Sequence, residues 1–75
     1  MCDMTDSVKV ISDKVRGVAA EKRFTQQRVA DTLNISRTSV GERYNGRVAF
    51  TAPEILALAQ AMNVPVSRFF PEVVA

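Results

Sequence analysis

Residues 24–46 read FTQQRVADTLNISRTSVGERYNG. Two short hydroxyl residues in this stretch, Thr25 and Ser36, share one setting. Each follows an apolar residue (Phe24, Ile35) and stands four positions before another (Val29, Val40). A hydroxyl so placed accepts a bond from a free backbone N–H at a helix start, while the two apolar side chains pin the entering chain. The setting recurs at Phe50-Thr51 with Ile55, where TAPE adds Glu54 at the third helical position and completes a capping box. Three such signals predict helices over about 26–33, 37–45 and 52–62.

Upstream, Val8, Ile11, Val15, Val18 and Ala19 recur at three- and four-residue steps, one face of an amphipathic helix over roughly 7–22. Lys22 and Arg23 fall near its C-terminal end, where the helix dipole favours cations. A last turn near 67–70 is expected, capped by Ser67 and anchored by Phe69 and Phe70. No useful length alternates with period two. The expected fold is all-α, a compact bundle of about five short helices spanning residues 7–70. Residues 1–6 are expected as a flexible N-terminus and 71–75 as a C-terminal tail.

Only Asn34, Ile35 and Ser36 separate the second and third helices. Asn tolerates the left-handed conformation a sharp turn needs, and Ile35 is the apolar plug. So short a link fits a helix-turn-helix, with Ala30 small enough for the close approach of the two helices. An ordinary αα-hairpin would explain Ala30 and Ile35 equally well. Val29, Leu33, Val40 and Tyr44 are expected to face the core.

Composition narrows the function. The chain has 75 residues, 47% of them hydrophobic, one Cys and no His. Disorder and an internal disulfide are excluded. A zinc site would need an all-carboxylate cage, and the usual nucleophile–His pairs are missing. No enzyme, metal, cofactor or small-molecule substrate is expected. No run of about 18 apolar residues is present, and MCDMTDSV is acidic where a signal peptide is basic, so a cytoplasmic protein is expected. Residues 15–51 hold seven basic residues and three acids, a net +4, while the flanking segments are each net −1. That concentration suits an anionic partner.

With Val40 and Tyr44 turned inward, the 37–45 helix presents Thr38, Glu42 and Asn45 on its opposite side, flanked by Gly41 and Ser39. Gly41 inside a helix costs about 1 kcal/mol relative to Ala, a cost that close approach of another surface explains. Small residues along a helix and long basic ones at its ends suit the DNA major groove. Arg37 can bond guanine N7 and O6. Thr38 and Ser39 can meet base edges or a thymine methyl, and Glu42 can accept from cytosine N4. Gln26 and Gln27, at the preceding helix start, can bond phosphate, with Arg28 beside them. Asn45 and Arg47 would hold the flanking backbone. Arg43 lies to the side, a candidate contact or a solvated charge. Glu42 could instead pair with a neighbouring Arg, and Gly41 could merely make room for a neighbouring helix.

The same stretch resembles the lambda repressor-like helix-turn-helix family (the Cro/CI, XRE-type repressors), in TQQRVAD, SVGERYNG and the closing NVPVSRFF, across about residues 8–70. Gln26, Ala30, Ile35, Val40 and Asn45-Gly46 match in register. The resemblance implies a dimer on operator DNA, with the second helix of the motif in the major groove. It also implies a phosphate-clamping role for Gln26, base reading by Arg37 and Thr38 with Ser39 beside them, and a backbone contact for Asn45. Asn34 replaces the usual turn Gly. Arg37 replaces an amide, shifting preference towards guanine. Met1 to Asp6 is acidic where the family has a basic arm, and no second domain is expected after Ala75. The expected function is a sequence-specific, double-stranded-DNA-binding regulator, a phage or prophage repressor, homodimeric at least on DNA, with Phe69, Phe70, Val73 and Val74 as candidate interface, although Phe69 and Phe70 are expected rather in the core. The rivals are an antitoxin of a toxin–antitoxin pair and a helical adaptor that binds protein alone.

Overall fold

The computed structural model describes residues 4–70, with side chains from Ser7 onward. Four helices, α1 (Met4–Glu21), α2 (Gln26–Leu33), α3 (Arg37–Tyr44) and α4 (Ala52–Met62), are followed by a 3-10 turn, Val66–Phe69. No strand occurs among the described residues. The all-α bundle expected from sequence is the fold found.

The three hydroxyl caps form as their spacing requires. Thr25 accepts from the Arg28 N–H at 3.1 Å, Ser36 from that of Ser39 at 3.1 Å, and Thr51 from that of Glu54 at 3.3 Å. Glu54 returns the last bond by accepting from the Thr51 N–H at 3.0 Å, which closes the capping box. The helix ends are less obvious from sequence. Arg23, Asn34 and Asn63 stand in the left-handed conformation with φ near 60°. In each case the next residue donates its N–H five positions back: Phe24 to Ala19, Ile35 to Ala30 and Val64 to Ala59. Those three apolar residues then pack against the core. Phe24 and Ile35 thus both finish one helix and brace the start of the next. Arg23 holds a conformation that costs a non-Gly residue roughly 1–2 kcal/mol.

Val15, Val29, Val40, Leu58 and Phe69 are fully buried, with Val18, Ala19, Ala30, Tyr44, Ile55, Ala59 and Met62 around them. Of the residues expected inward on α2 and α3, Leu33 is only partly buried. α2 packs on α3 and α4, α1 on α3 and the final turn, and α4 on that turn. Arg68 and Glu21 make a two-pronged exposed ion pair, both bonds 3.0 Å, between the final turn and the end of α1. The Arg68 hydrogen bond and charge hold the Glu21 carboxyl below its ordinary pKa.

Three expectations need correction. α1 begins a turn before the apolar stripe, because periodicity registers burial and not backbone hydrogen bonding. The final turn is preceded by Pro65 with no side-chain cap; the Ser67 carbonyl accepts from the Phe70 N–H. Phe69 is wholly buried in the core as expected, but Phe70 is 41% exposed and neither joins the core nor anchors the turn. Val73 and Val74 lie outside the described residues.

Candidate nucleic-acid interface

Ser36 and Ile35 set where α3 starts, and α2 beneath it sets which side is buried. Val40 and Tyr44 face inward. At about 100° per residue, Thr38, Glu42 and Asn45 lie on the outward side with Gly41 at its edge, and Arg37 stands at the first turn of the helix. Arg37, Thr38, Glu42 and Asn45 are exposed and Gly41 half-buried. A Cβ added at Gly41 would have nothing within 4 Å. No neighbouring helix requires this glycine, so the reading in which it makes room for one does not hold.

α3 is held from both sides. Arg43, on the flank towards α4, donates from Nε and Nη2 to the two Glu54 carboxylate oxygens, each at 3.1 Å, and from Nη1 to the Ser39 carbonyl at 3.2 Å. Its side chain is 14% exposed and that of Glu54 16%. Burial alone would push the Glu54 pKa up. The hydrogen bonds from Arg43 and Thr51 and the Arg43 charge outweigh burial and hold it below the ordinary value. From α1, wholly buried Ser12 donates to the Arg43 carbonyl at 2.6 Å. Gly46, at φ 80°, closes α3 with the Arg47 N–H donating to the Glu42 carbonyl at 3.0 Å. Tyr44 packs tilted against Phe50 with ring centroids 6.3 Å apart. Its hydroxyl is buried without a hydrogen-bond partner among the described residues, and burial raises its pKa.

The remaining candidates surround this helix. Gln26 and Gln27 are exposed at the start of α2, where Gln27 also donates to Asp31 at 2.9 Å. Arg28 is exposed, with its guanidinium carbon 4.2 Å from the Phe24 ring centroid, a cation–π stack that limits its reach. Ser39 is half-buried, and its hydroxyl accepts from that of Ser36 at 3.1 Å, so it belongs partly to the cap. Asn45 and Arg47 are exposed at the far end of α3. Glu42 has no ion pair among the described residues, so pairing with a neighbouring Arg does not explain it. Arg43 is not a solvated charge: its guanidinium is committed to α4.

Sequence reasoning missed Lys9. Its Cα and Cγ lie 3.8 Å from the position of a Cβ on Gly46, which brings α1 to the end of α3. No local signal reports a contact between segments so far apart in the chain. The Ser12 bond to α3 shares that flank of α1, and a polar residue at a buried position was the available clue.

Among the described residues no group of His, Cys, Asp and Glu could hold a metal ion, and no helix is long and apolar enough to cross a membrane. No curated protein matches the chain. The helix-turn-helix family model matches residues 18–69, which takes in α2, α3, α4 and the final turn. The chain therefore belongs to the XRE/lambda repressor-like helix-turn-helix family of DNA-binding regulators.

Proposed function

We propose that the protein is a sequence-specific regulator of the phage-repressor kind that binds operator DNA as a homodimer, with α3 in the major groove. The observation that carries this is the outward side of α3: exposed Thr38, Glu42 and Asn45 beside a glycine with open space next to it, with exposed Arg37 at the first turn, on a helix fixed to both α1 and α4. In this reading Arg37 takes guanine, Thr38 and Ser39 take base edges or a thymine methyl, and Glu42 takes cytosine N4. Gln26, Gln27, Arg28, Asn45 and Arg47 take phosphates. Arg43 is an orienting anchor, since its donors already serve Glu54 and Ser39. One domain this small reads few base pairs, so two copies on half-sites about 34–36 Å apart supply the specificity.

Selection of bound duplexes from random DNA, followed by affinity measurements on the selected and on random sequences, tests the reading. Arg37→Ala should cost about 1–3 kcal/mol on the preferred site and relax discrimination at one base pair. Gln26→Ala should weaken all duplexes alike, because phosphate contacts carry no sequence information. An equal loss on both kinds of DNA for Arg37→Ala would remove the recognition role of α3. A wild-type affinity indifferent to salt would remove DNA as the partner.

A further inference from the structure

We propose that Lys9 of α1 adds a phosphodiester contact beyond the C-terminal end of α3, and with Arg47 forms a backbone clamp on that side of the interface. This rests on the DNA-binding reading above. The stem of Lys9 lies along Gly46, with Cα, Cβ and Cγ 3.8–3.9 Å from where a Gly46 Cβ would stand. The residue is nevertheless exposed. A lysine that packs its methylenes and leaves its ammonium in water places its charge at the edge of the surface it covers. That edge is the Asn45–Arg47 segment, whose side chains at both positions are exposed. The placement is fixed, because one turn along the same flank Ser12 bonds the Arg43 carbonyl at 2.6 Å and locks α1 against α3. Gln26 and Gln27 stand at the start of α2, and the backbone contacts assigned at the end of α3 itself are Asn45 and Arg47.

Lys9 has a purely structural rival role. The C-terminal end of a helix carries partial negative charge, and a nearby cation stabilises it. The two roles differ in what they move. A dipole partner changes the melting temperature and leaves the ion release on DNA binding untouched. A phosphate contact changes the number of ions released and acts alike on all sequences.

The experiment uses the full chain, with Lys9→Ala, Lys9→Gln and Lys9→Arg beside wild type, and fluorescence anisotropy on a selected and a random duplex across 50–200 mM salt. Wild type comes first: a flat salt response there overturns the DNA reading itself, and Lys9 with it. Given salt-dependent wild-type binding, Lys9→Ala and Lys9→Gln should each flatten the slope of log affinity against log salt by about 0.9 on both duplexes. That shrinks the wild-type advantage about three- to fourfold across the range. Lys9→Arg should keep the wild-type slope. An unchanged slope in Lys9→Ala and Lys9→Gln overturns the clamp, and a lower melting temperature beside it leaves Lys9 as a dipole partner. Loss confined to the selected duplex also overturns it.

Discussion

Gly41→Ala should make the protein more stable and a worse DNA binder at once. Gly41 sits inside α3 without the positive φ that would demand glycine. An added methyl meets nothing within 4 Å beyond its chain neighbours and the backbone of its own helix. The substitution therefore gains the full helix-propensity difference of about 0.8–1.0 kcal/mol with no steric cost. For a domain of this size that corresponds to a rise in melting temperature of roughly 4–8 °C. On DNA the same methyl stands at the edge of the outward stripe, beside Asn45 and Thr38. Forcing an extra methyl into a packed contact costs about 1–3 kcal/mol, or roughly 5- to 150-fold in affinity at 1.4 kcal/mol per factor of ten. Gly17 supplies the internal control. It is exposed in the interior of α1 with nothing within 4 Å of an added Cβ, but lies off the α3 stripe. Gly17→Ala should give a similar rise in stability and leave binding unchanged. An open glycine alone therefore does not mark a contact; its position on the stripe does. Thermal melts by circular dichroism and anisotropy on a selected duplex read both quantities. If Gly41→Ala is no more stable than wild type, the space beside Gly41 has been misjudged. If it is more stable and binds undiminished, no surface approaches α3 there and the groove-facing role of the stripe is refuted.

Other expectations follow from the groups that fix α3. Arg43→Met should lower stability by about 1.5–3 kcal/mol, the range for hydrogen bonds to charged groups, whereas Arg37→Ala should leave the melting temperature nearly unchanged; melts of the two variants side by side decide whether Arg43 is an anchor. The Glu54 carboxyl is held below its ordinary pKa in the folded state, so its contribution is fully present above the unfolded value near 4.3 and is lost as pH falls through the folded one. Wild type should lose stability below about pH 4 more steeply than Glu54→Gln, and parallel acid limbs in the two melting curves would deny the linkage. Tyr44→Phe keeps the ring against Phe50 and removes a buried hydroxyl with no partner among the described residues, so its stability should equal or exceed that of wild type; a loss above about 1 kcal/mol by chemical denaturation would mean that the hydroxyl has a partner.

The helix starts were legible because the information that makes them is local. A cap needs one hydroxyl and two apolar residues within six positions, and Thr25, Ser36 and Thr51 each have them. The core positions Val15, Val29, Ala30, Val40 and Tyr44 follow from the same short-range periodicity. The ends of α1 and of the final turn were harder. Arg23 ends its helix in a left-handed conformation that favours glycine, a choice imposed by the burial of Phe24 beyond it and not by Arg23 itself. Ser67 resembles a cap in sequence, yet the last turn is tightened into 3-10 geometry with Pro65 ahead of it.

The candidate interface was legible only in part, and its arginines show why. Arg37, Arg43 and Arg47 are alike in residue type and lie on or beside one short helix. What separates them is whether their donors are already used within the fold. That depends on Glu54, a residue that sequence assigns wholly to the α4 capping box. Oε1 of Glu54 does accept from the Thr51 N–H, but it also accepts from Arg43, while Oε2 takes the second Arg43 bond. One carboxylate therefore starts α4 and orients α3. Removing it should disturb two helices, and its effect on binding should pass through the tilt of the α3 stripe and not through any direct contact. Glu54→Gln should accordingly weaken discrimination between selected and random DNA while leaving the salt slope at its wild-type value, since no phosphate contact is lost. A steeper slope in Glu54→Gln would mean instead that Arg43, once released, adds a phosphate contact of its own.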